Sequence, residues 1–452
     1  MSDKKRVIIV GGGAAGFFAA IAGAEKLGAA GEVTIYEATA HPLAKVRVSG
    51  GGRCNVTHAC FEPRELVKHY PRGGRELLGA FHRWQPRDTV AWFAERGVEL
   101  KTEADGRMFP VTDDSATIVN CLRGAAEKAG VRLISPLGVR TAEAIGTSSV
   151  ERGVPNALFE GARTSPMTTR PSRGASAVAA SGPAFWLTLT DGSNVRCERL
   201  LLATGGNRSS AGYTIAEKLG HTIEPLVPSL FTFHIDDARL IGLSGVSLEN
   251  AVVAVPGTKL KAGGPLLITH WGLSGPAVLK LSAWGARKLA MVKYEFPLTV
   301  NFAPPHTPES LKRELAAVRE KNPRKQIGTW SPLPMPQRLW ERLATAAGIP
   351  ATTQWTAIGN AALATLATQL TTAEFKVVGK SMFKEEFVTC GGVRLSEVDF
   401  RTMESRVCPG LYFAGEILDL DGVTGGFNFQ SAWTTGAIAG AAMGTLLQRT
   451  DD

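Results

Sequence analysis

The sequence predicts an α/β protein in which a Rossmann-like nucleotide-binding domain is built from two sequence halves, with a β-rich domain and a small helical subdomain inserted between them. Three observations lead there. Residues 4–37, KKRVIIVGGGAAGFFAAIAGAEKLGAAGEVTIYE, read as strand, glycine turn, helix and strand. After Gly206 the texture changes to short apolar runs split by glycine and proline, and from Thr307 it becomes helical. The C-terminal stretch returns to a strand, a glycine-rich loop and a long helix.

Each part of the first stretch fits a bound diphosphate. Residues 7–10 form a short apolar run with β-branched members, as a buried parallel strand requires. Gly11, Gly13 and Gly16 follow in G-x-G-x-x-G spacing. The first permits a tight turn, the second lets backbone N–H groups approach a pyrophosphate with no Cβ in the way, and the third lets the helix pack closely on the strand. The helix expected over 14–27 aims its positive dipole end and orphan N–H groups at the phosphates. A second strand over 33–36 ends at Glu37, roughly 20 residues past the last glycine, where a carboxylate accepts hydrogen bonds from both ribose hydroxyls and repels a 2′-phosphate.

At 452 residues the chain exceeds one typical domain, so two or three domains with sizeable cores are expected. No run approaches the roughly 20 uninterrupted apolar residues of a membrane helix. The N-terminus shows no charged-then-apolar leader, and a cytoplasmic protein is expected. The six cysteines, at 54, 60, 121, 197, 390 and 408, form no C-x-x-C pair and no zinc spacing, so reduced thiols and no metal are expected. The net charge of +9 includes no basic tract of five or more, which argues for a solvated basic surface and against nucleic acid as a partner.

Residues 147–183, rich in Ser, Ala, Gly, Thr and Pro, hold too few large apolar residues to order themselves and read as a flexible insertion in a hairpin. The sequence AFWLTLT at 184–190, the turn 191–194 and the run 195–203 read as two strands around a turn. The second strand enters Thr204, Gly205 and Gly206, where the first domain hands over to the insert. The expected boundaries are 1–206 for the first half, 207–305 for the β-rich domain, 306–372 for the helical subdomain, 373–389 for the returning strand and 390–452 for the second half. FTFHI, AVVAV, PLLIT and FPLTV supply the β-rich strands. Thr307 as N-cap and Pro308 at the first helical position open the helical part.

Three more segments carry chemistry. Ser49, Gly50, Gly51, Gly52, Arg53, Cys54 and Asn55 are too glycine-rich for a regular element, so they form a loop against something flat or anionic, with Arg53 supplying charge and Asn55 paired hydrogen bonds. Gly415 and Glu416 follow a strand, and 422–426 precede a helix, again presenting N–H groups at a helix N-terminus. Asp419 and Asp421 between them read equally as ligand contacts and as turn carboxylates. His270, between PLLIT and WGLSGP, is the one candidate for catalysis, as a proton donor, against a structural role at a strand end. Cys54 has no resolving cysteine and reads as packed. No second G-x-G-x-x-G appears, so no dedicated nicotinamide domain is visible and NAD(P)H would bind as a transient co-substrate.

The segments VIIVGGGAAG, VSGGGRCNVTH, LLATGG and TMESRVCPGLYFAGEILDLDGVTGGFNFQSAWTTG, with ADGRMFPVTDDSATIV at 104–119 and THWGLSGPAVLKLS at 269–282, resemble the bacterial FAD-dependent oxidoreductases of the aminoacetone-oxidase-like or BaiN-type family. The resemblance spans nearly the whole chain. It implies a two-part FAD-binding domain with an inserted β-barrel-like domain and a helical subdomain. It places Gly11, Gly13, Ala14, Ala15 and Gly16 at the FAD diphosphate and Glu37 at the adenosine ribose. Lys45, Ser49, Gly50, Gly51, Gly52, Arg53 and Asn55 would lie along the cofactor, and Thr204 and Gly205 at its second crossing. Gly415, Glu416, Asp419, Gly425, Gly426, Phe427 and Asn428 would lie near the ribityl chain and flavin. The abbreviated loop after Gly206, Cys390 and the 147–183 insertion depart from the family pattern.

The leading expectation is an FAD-dependent oxidoreductase that acts by hydride transfer on a small-molecule substrate bound between the FAD domain and the insert, with NAD(P)H or O2 as partner. An amine oxidase and an NAD(P)H-dependent reductase both remain open. So do an FAD-dependent RNA-modifying enzyme and a flavin-carrying redox sensor without turnover.

Overall fold

The computed structural model describes residues 4–145, 183–381 and 388–448. Apart from Pro183, the expected insertion over 147–183 lies outside the described residues. Two hydrophobic cores divide the chain. The first contains a seven-stranded sheet in the order 398–399, 404–405, 411–413, 199–202, 5–10, 31–36, 132–134. Its last five strands are parallel, and the short pair 398–399 and 404–405 is antiparallel.

The register of this sheet builds the site. Val10 pairs with Tyr36 on one side and Leu202 on the other, and Leu202 pairs with Phe413. The residues that follow these four strand ends, from Gly11, Glu37, Ala203 and Ala414, therefore emerge at one edge. Strand Lys5–Val10 has the next strand of the chain, Gly31–Tyr36, on one side and the sequence-distant Arg199–Leu202 on the other, which makes this edge the topological switch point where open α/β sheets bind ligands.

Helix Ala14–Leu27 covers one face of the sheet, and helix Phe427–Gln448 lies against it. Gly436, Gly440 and Gly444 recur every fourth residue along the second helix, and a Cβ at Gly440 would strike the carbonyl of Ala19. Backbone-to-backbone packing of this kind requires the small residues.

The inserted domain has its own core. Its seven strands run in the order 373–377, 296–301, 247–254, 261–269, 272–274, 232–234, 379–381, and every pair is antiparallel. The chain passes from strand Ala373–Val377 at one edge to strand Gly379–Ser381 at the other across Val378 alone, whose N–H donates to His234 O at 2.9 Å. A sheet whose two edges are one residue apart in the chain is curled into a barrel, as expected. Helices Pro308–Lys321, Gln337–Ala346 and Asn360–Thr371 pack Leu311, Leu315, Trp340, Leu343 and Leu366 into the same core. Thr307 caps the first of them, its Oγ accepting from Ser310 N at 3.2 Å.

The structure departs from the sequence expectation in three places. Helix Pro276–Met291 stands inside the stretch read as β-rich; Pro276 opens it after Gly275, and Ala277, Val278, Leu281 and Leu289 form its buried stripe. The strand expected over 195–203 is two, because Asn194–Cys197 pairs with the preceding hairpin strand and Arg199–Leu202 enters the main sheet. Helix Ala211–Lys218, which lies past Gly206, sends Tyr213, Ile215 and Ala216 into the first core.

Candidate functional site

A cavity of about 970 Å³ opens at the switch point, between the first domain and the barrel. Gly11, Gly13, Ala14, Ala15, Glu37, Lys45, Ser49, Gly50, Gly51, Thr204, Gly205, Gly415, Glu416 and Asn428 line it, as does His270. The first domain's wall is rich in glycine and alanine, which bring backbone to the cavity surface. Gly11 has φ of 109°, and a Cβ there would strike the Ala203 carbonyl. A Cβ on Gly13 would meet nothing within 4 Å, so its missing side chain leaves space open to a ligand rather than to the fold. Gly16 does not line the cavity: a Cβ there would strike the Gly11 carbonyl, so this glycine serves helix packing. The first-turn N–H groups of helix Ala14–Leu27 have no intrahelical acceptor, and they carry the positive end of the dipole.

Glu37 is pre-oriented. Its Oε2 accepts from Gly12 N at 2.7 Å, and its Oε1 from Thr39 N at 2.8 Å and Thr39 Oγ at 2.7 Å. A carboxylate offers about four acceptor positions, so one remains for a ribose hydroxyl. A second cluster joins the crossing strands: Lys45 Nζ pairs with Glu416 Oε2 at 2.6 Å, Glu416 Oε1 accepts from Thr389 N at 2.9 Å, and Thr389 Oγ donates to Gly206 O at 2.6 Å. Gly50, Gly51 and Gly52 have φ of 59°, 69° and 86°, so the loop does use the left-handed freedom of glycine.

Several residues proposed along the cofactor stand outside the cavity lining. Arg53 turns away: its guanidinium pairs with Glu103 at 2.7 Å and lies 4.0 Å over the Phe109 ring. Asn55 buttresses the site instead of lining it, donating to Thr57 O at 3.0 Å and accepting from Gly426 N at 2.9 Å. Gly52, Gly425 and Gly426 are likewise off the lining. Phe427 clusters with His69 at 4.2 Å and His58 at 4.7 Å, the two histidine rings 5.9 Å apart, beside the glycine turn at the start of helix Phe427–Gln448. Burial pushes both histidines below their ordinary pKa. Cys54 is buried, its thiol pushed up to about 12 by desolvation, in keeping with a packed residue.

The two aspartates join the domains. Asp419 accepts from both sides of its carboxylate, from Arg287 at 2.7 Å and Gly391 N at 3.1 Å. Asp421 is fully buried, paired with Arg72, and accepts from Ser229 Oγ at 2.6 Å. Arg72 also donates to the carbonyl of Ala283 on helix Pro276–Met291 at 2.5 Å. These turn carboxylates are interdomain fasteners. Arg72 and Arg287 went unnoticed in the sequence, since an ion-pair partner leaves no spacing signature.

The barrel supplies the opposite wall through side chains. Leu230, Leu267, Trp271 and Leu279 are its apolar part, and its polar part includes Thr232 and Ser274, with their hydroxyls 2.8 Å apart. Trp271, 41% exposed, sits at the turn between strands Lys261–Thr269 and Gly272–Ser274; Thr269 Oγ accepts its N–H at 3.2 Å, and its carbonyl accepts from Ile235 N at 2.9 Å. His270 is beside it on the rim, ring centroids 4.6 Å apart. Among the described residues no cluster is suited to hold a metal, and no helix is long and apolar enough to cross a membrane.

This arrangement can bind an elongated anion-bearing cofactor on one side and a substrate on the other. Comparison with known proteins agrees. A model of the HI0933-like protein Rossmann domain matches residues 5–154, and a model of the HI0933-like protein barrel and H2TH domain matches 227–388. The chain is 32% identical to a ribosomal RNA dihydrouridine synthase of Escherichia coli, with 96% of each chain covered. It is 29% identical to a 3-dehydro-bile acid delta(4,6)-reductase of Clostridium scindens, covering 97% of this chain and 98% of that one. A ribosomal RNA dihydrouridine synthase of Haemophilus influenzae is 28% identical, with 96% and 97% covered.

Proposed function

The chain belongs to the HI0933-like family of FAD-dependent oxidoreductases, and from that premise we propose that it reduces a carbon–carbon double bond conjugated to a carbonyl. The observation that carries this reading is the cavity's two unlike walls, a glycine-rich cradle for a dinucleotide facing a largely apolar wall that carries the hydrogen-bonded hydroxyls of Thr232 and Ser274. The relatives' names point the same way. Making dihydrouridine saturates the uracil double bond conjugated to its carbonyl, and a delta(4,6)-reductase acts on double bonds conjugated to the 3-oxo group of a 3-dehydro bile acid.

The residues present fit FAD. The space left by the absent Cβ of Gly13 and the orphan N–H groups of Ala14 and Ala15 suit its diphosphate, and Glu37 suits its adenosine ribose. The N-terminal end of helix Phe427–Gln448, where Thr424 and Asn428 reach the cavity, suits the flavin edge that gains negative charge on reduction. Bound FAD supplies hydride transfer. Leu230, Leu267 and Trp271 exclude water from a flat substrate. In the Thr232–Ser274 pair one hydroxyl donates to the other, which leaves one proton to polarise a substrate carbonyl. His270, on the rim, is the candidate to return a proton. NAD(P)H is proposed as a transient electron donor.

The test is anaerobic. The protein is bleached with NADH, NADPH or dithionite and then mixed with a conjugated enone, with uridine, or with the saturated counterpart of each. Reoxidation by a conjugated compound and not by its saturated counterpart is expected. Reoxidation by O2 alone would point to an oxidase or a sensor and overturn the reading.

A further inference from the structure

Positive charge is not evenly distributed over this molecule. Residues 227–381 contain 17 Lys and Arg against 9 Asp and Glu, a surplus of 8 out of the +9 of the whole chain. Outside that stretch the numbers nearly balance, 33 Lys and Arg against 32 Asp and Glu, and ion pairs there include Arg53 with Glu103, Arg72 with Asp421, Lys101 with Asp113, Arg107 with Asp105, Arg394 with Glu224 and Arg401 with Asp399. The inserted domain has fewer such pairs, and half of its surplus lies in the helical half, where residues 306–346 hold eight Lys and Arg against four Glu.

On helix Pro308–Lys321, Arg313 and Lys321 stand eight residues apart, two turns on one face, and the chain continues through Arg324 and Lys325. All four are exposed. Trp330, 42% exposed, closes the strip, with Lys325 Nζ 5.0 Å from its ring centroid. An uncovered indole beside unneutralised cations is the combination that single-stranded nucleic acid recognises, the cations taking phosphates and the ring taking the face of a base. The helical half is also tied to the loop beside the cavity. Arg338 donates to Gly242 O and Arg342 to Ala238 O at 2.7 Å, while Ser244 and Gly245 of that loop line the cavity.

We propose that the strip of Arg313, Lys321, Arg324, Lys325 and Trp330 is a docking surface for RNA, through which a base-bearing substrate is brought to the cavity. The choice of a uracil-bearing partner rests on the conjugated-double-bond reading; the surface itself rests on charge and exposure. It reverses the expectation from the sequence that the basic charge is merely solvated, because the surplus is confined to one domain.

The test is filter binding of the full-length, FAD-loaded protein to protein-free ribosomal RNA across a salt series, with heparin and anionic phospholipid vesicles in parallel. Replacing all four cations by Ala should weaken RNA binding by about tenfold or more at low salt and flatten the log–log salt slope by about three. Trp330→Ala should weaken RNA binding by about tenfold and leave heparin binding unchanged, because heparin has no bases to stack. FAD content and reoxidation by a small enone should stay at wild-type levels in both variants. The proposal is overturned if the wild type does not retain RNA, if the four-fold variant keeps the wild-type affinity and slope, or if vesicles bind and RNA does not. Each of these leaves the reductase reading standing, and a failure of enone reoxidation leaves RNA retention standing.

Discussion

On one side of the cavity glycine turns and small residues bring backbone to the wall among its side chains, and on the other the wall is side chains. The first domain brings four strand ends together and meets the ligand with glycine turns and a helix terminus, whereas the barrel meets it with Leu267, Thr232 and Ser274 on adjacent strands and Trp271 at the turn between two of them. A backbone wall constrains which residue type fits at each position, because a Cβ at Gly11 or Gly16 would strike a carbonyl. A side-chain wall constrains only shape. The first therefore fixes the cofactor across many chemistries, and the second is free to vary with the substrate.

The largest effects should separate the two functions of glycine within the backbone wall. Gly16→Val should prevent stable folding, since its Cβ is driven into the Gly11 carbonyl. Gly13→Val should fold, with a far-ultraviolet spectrum like the wild type, and lose FAD. Wild-type FAD occupancy in the second variant would show that this turn is only structural.

Next comes the seam between the walls. Asp421 is 0% and Arg72 12% exposed, so Asp421→Ala leaves a buried cation unpaired and should lower stability to urea by about 3–5 kcal/mol. A loss below about 1 kcal/mol, the range of an exposed pair, would mean that the domains are not fastened there. On the side-chain wall, Trp271→Ala should leave FAD content and melting temperature close to wild type and lower kcat/KM for a conjugated substrate by about tenfold, the range of one aromatic contact. Equal losses of FAD and activity would place Trp271 on the cofactor and collapse the distinction.

The smallest effect concerns the stack that supports the backbone wall. His58 and His69 have depressed pKa values, chiefly through burial, with Lys280 adding to both and Arg107 to His58, while Asp105 and Glu65 oppose. The unfolded chain therefore binds protons more readily than the folded one near pH 6. The stability they contribute is present above the ordinary histidine value of about 6.5 and is lost as pH falls below it. The melting temperature should drop between pH 7.5 and pH 5.5 on account of this pair, in terms of a shift that His69→Asn reduces. An identical pH profile in the variant would remove the stack from the account.

The same contrast explains what the sequence discloses. Gly11, Gly13, Gly16 and Glu37 are legible because a strand, a turn and a helix at fixed spacing leave few alternatives. Arg53 was misread, since a cation after three glycines looks like a ligand group until Glu103, fifty residues away, is seen beside it. Helix Pro276–Met291 was missed because Gly275 and Pro276 read as a break when they also serve as a helix start. The barrel wall was invisible apart from His270, as Thr232, Leu267 and Trp271 become neighbours only through antiparallel pairing.

The most direct test of the central claim is the identity of the flavin released by acid from the purified wild-type protein and separated by chromatography. The account predicts FAD, close to one per chain and absent from Gly13→Val. FMN alone, or no flavin after reconstitution, would contradict it, because the cradle from Gly11 to Glu37 would then hold neither a pyrophosphate nor a second ribose.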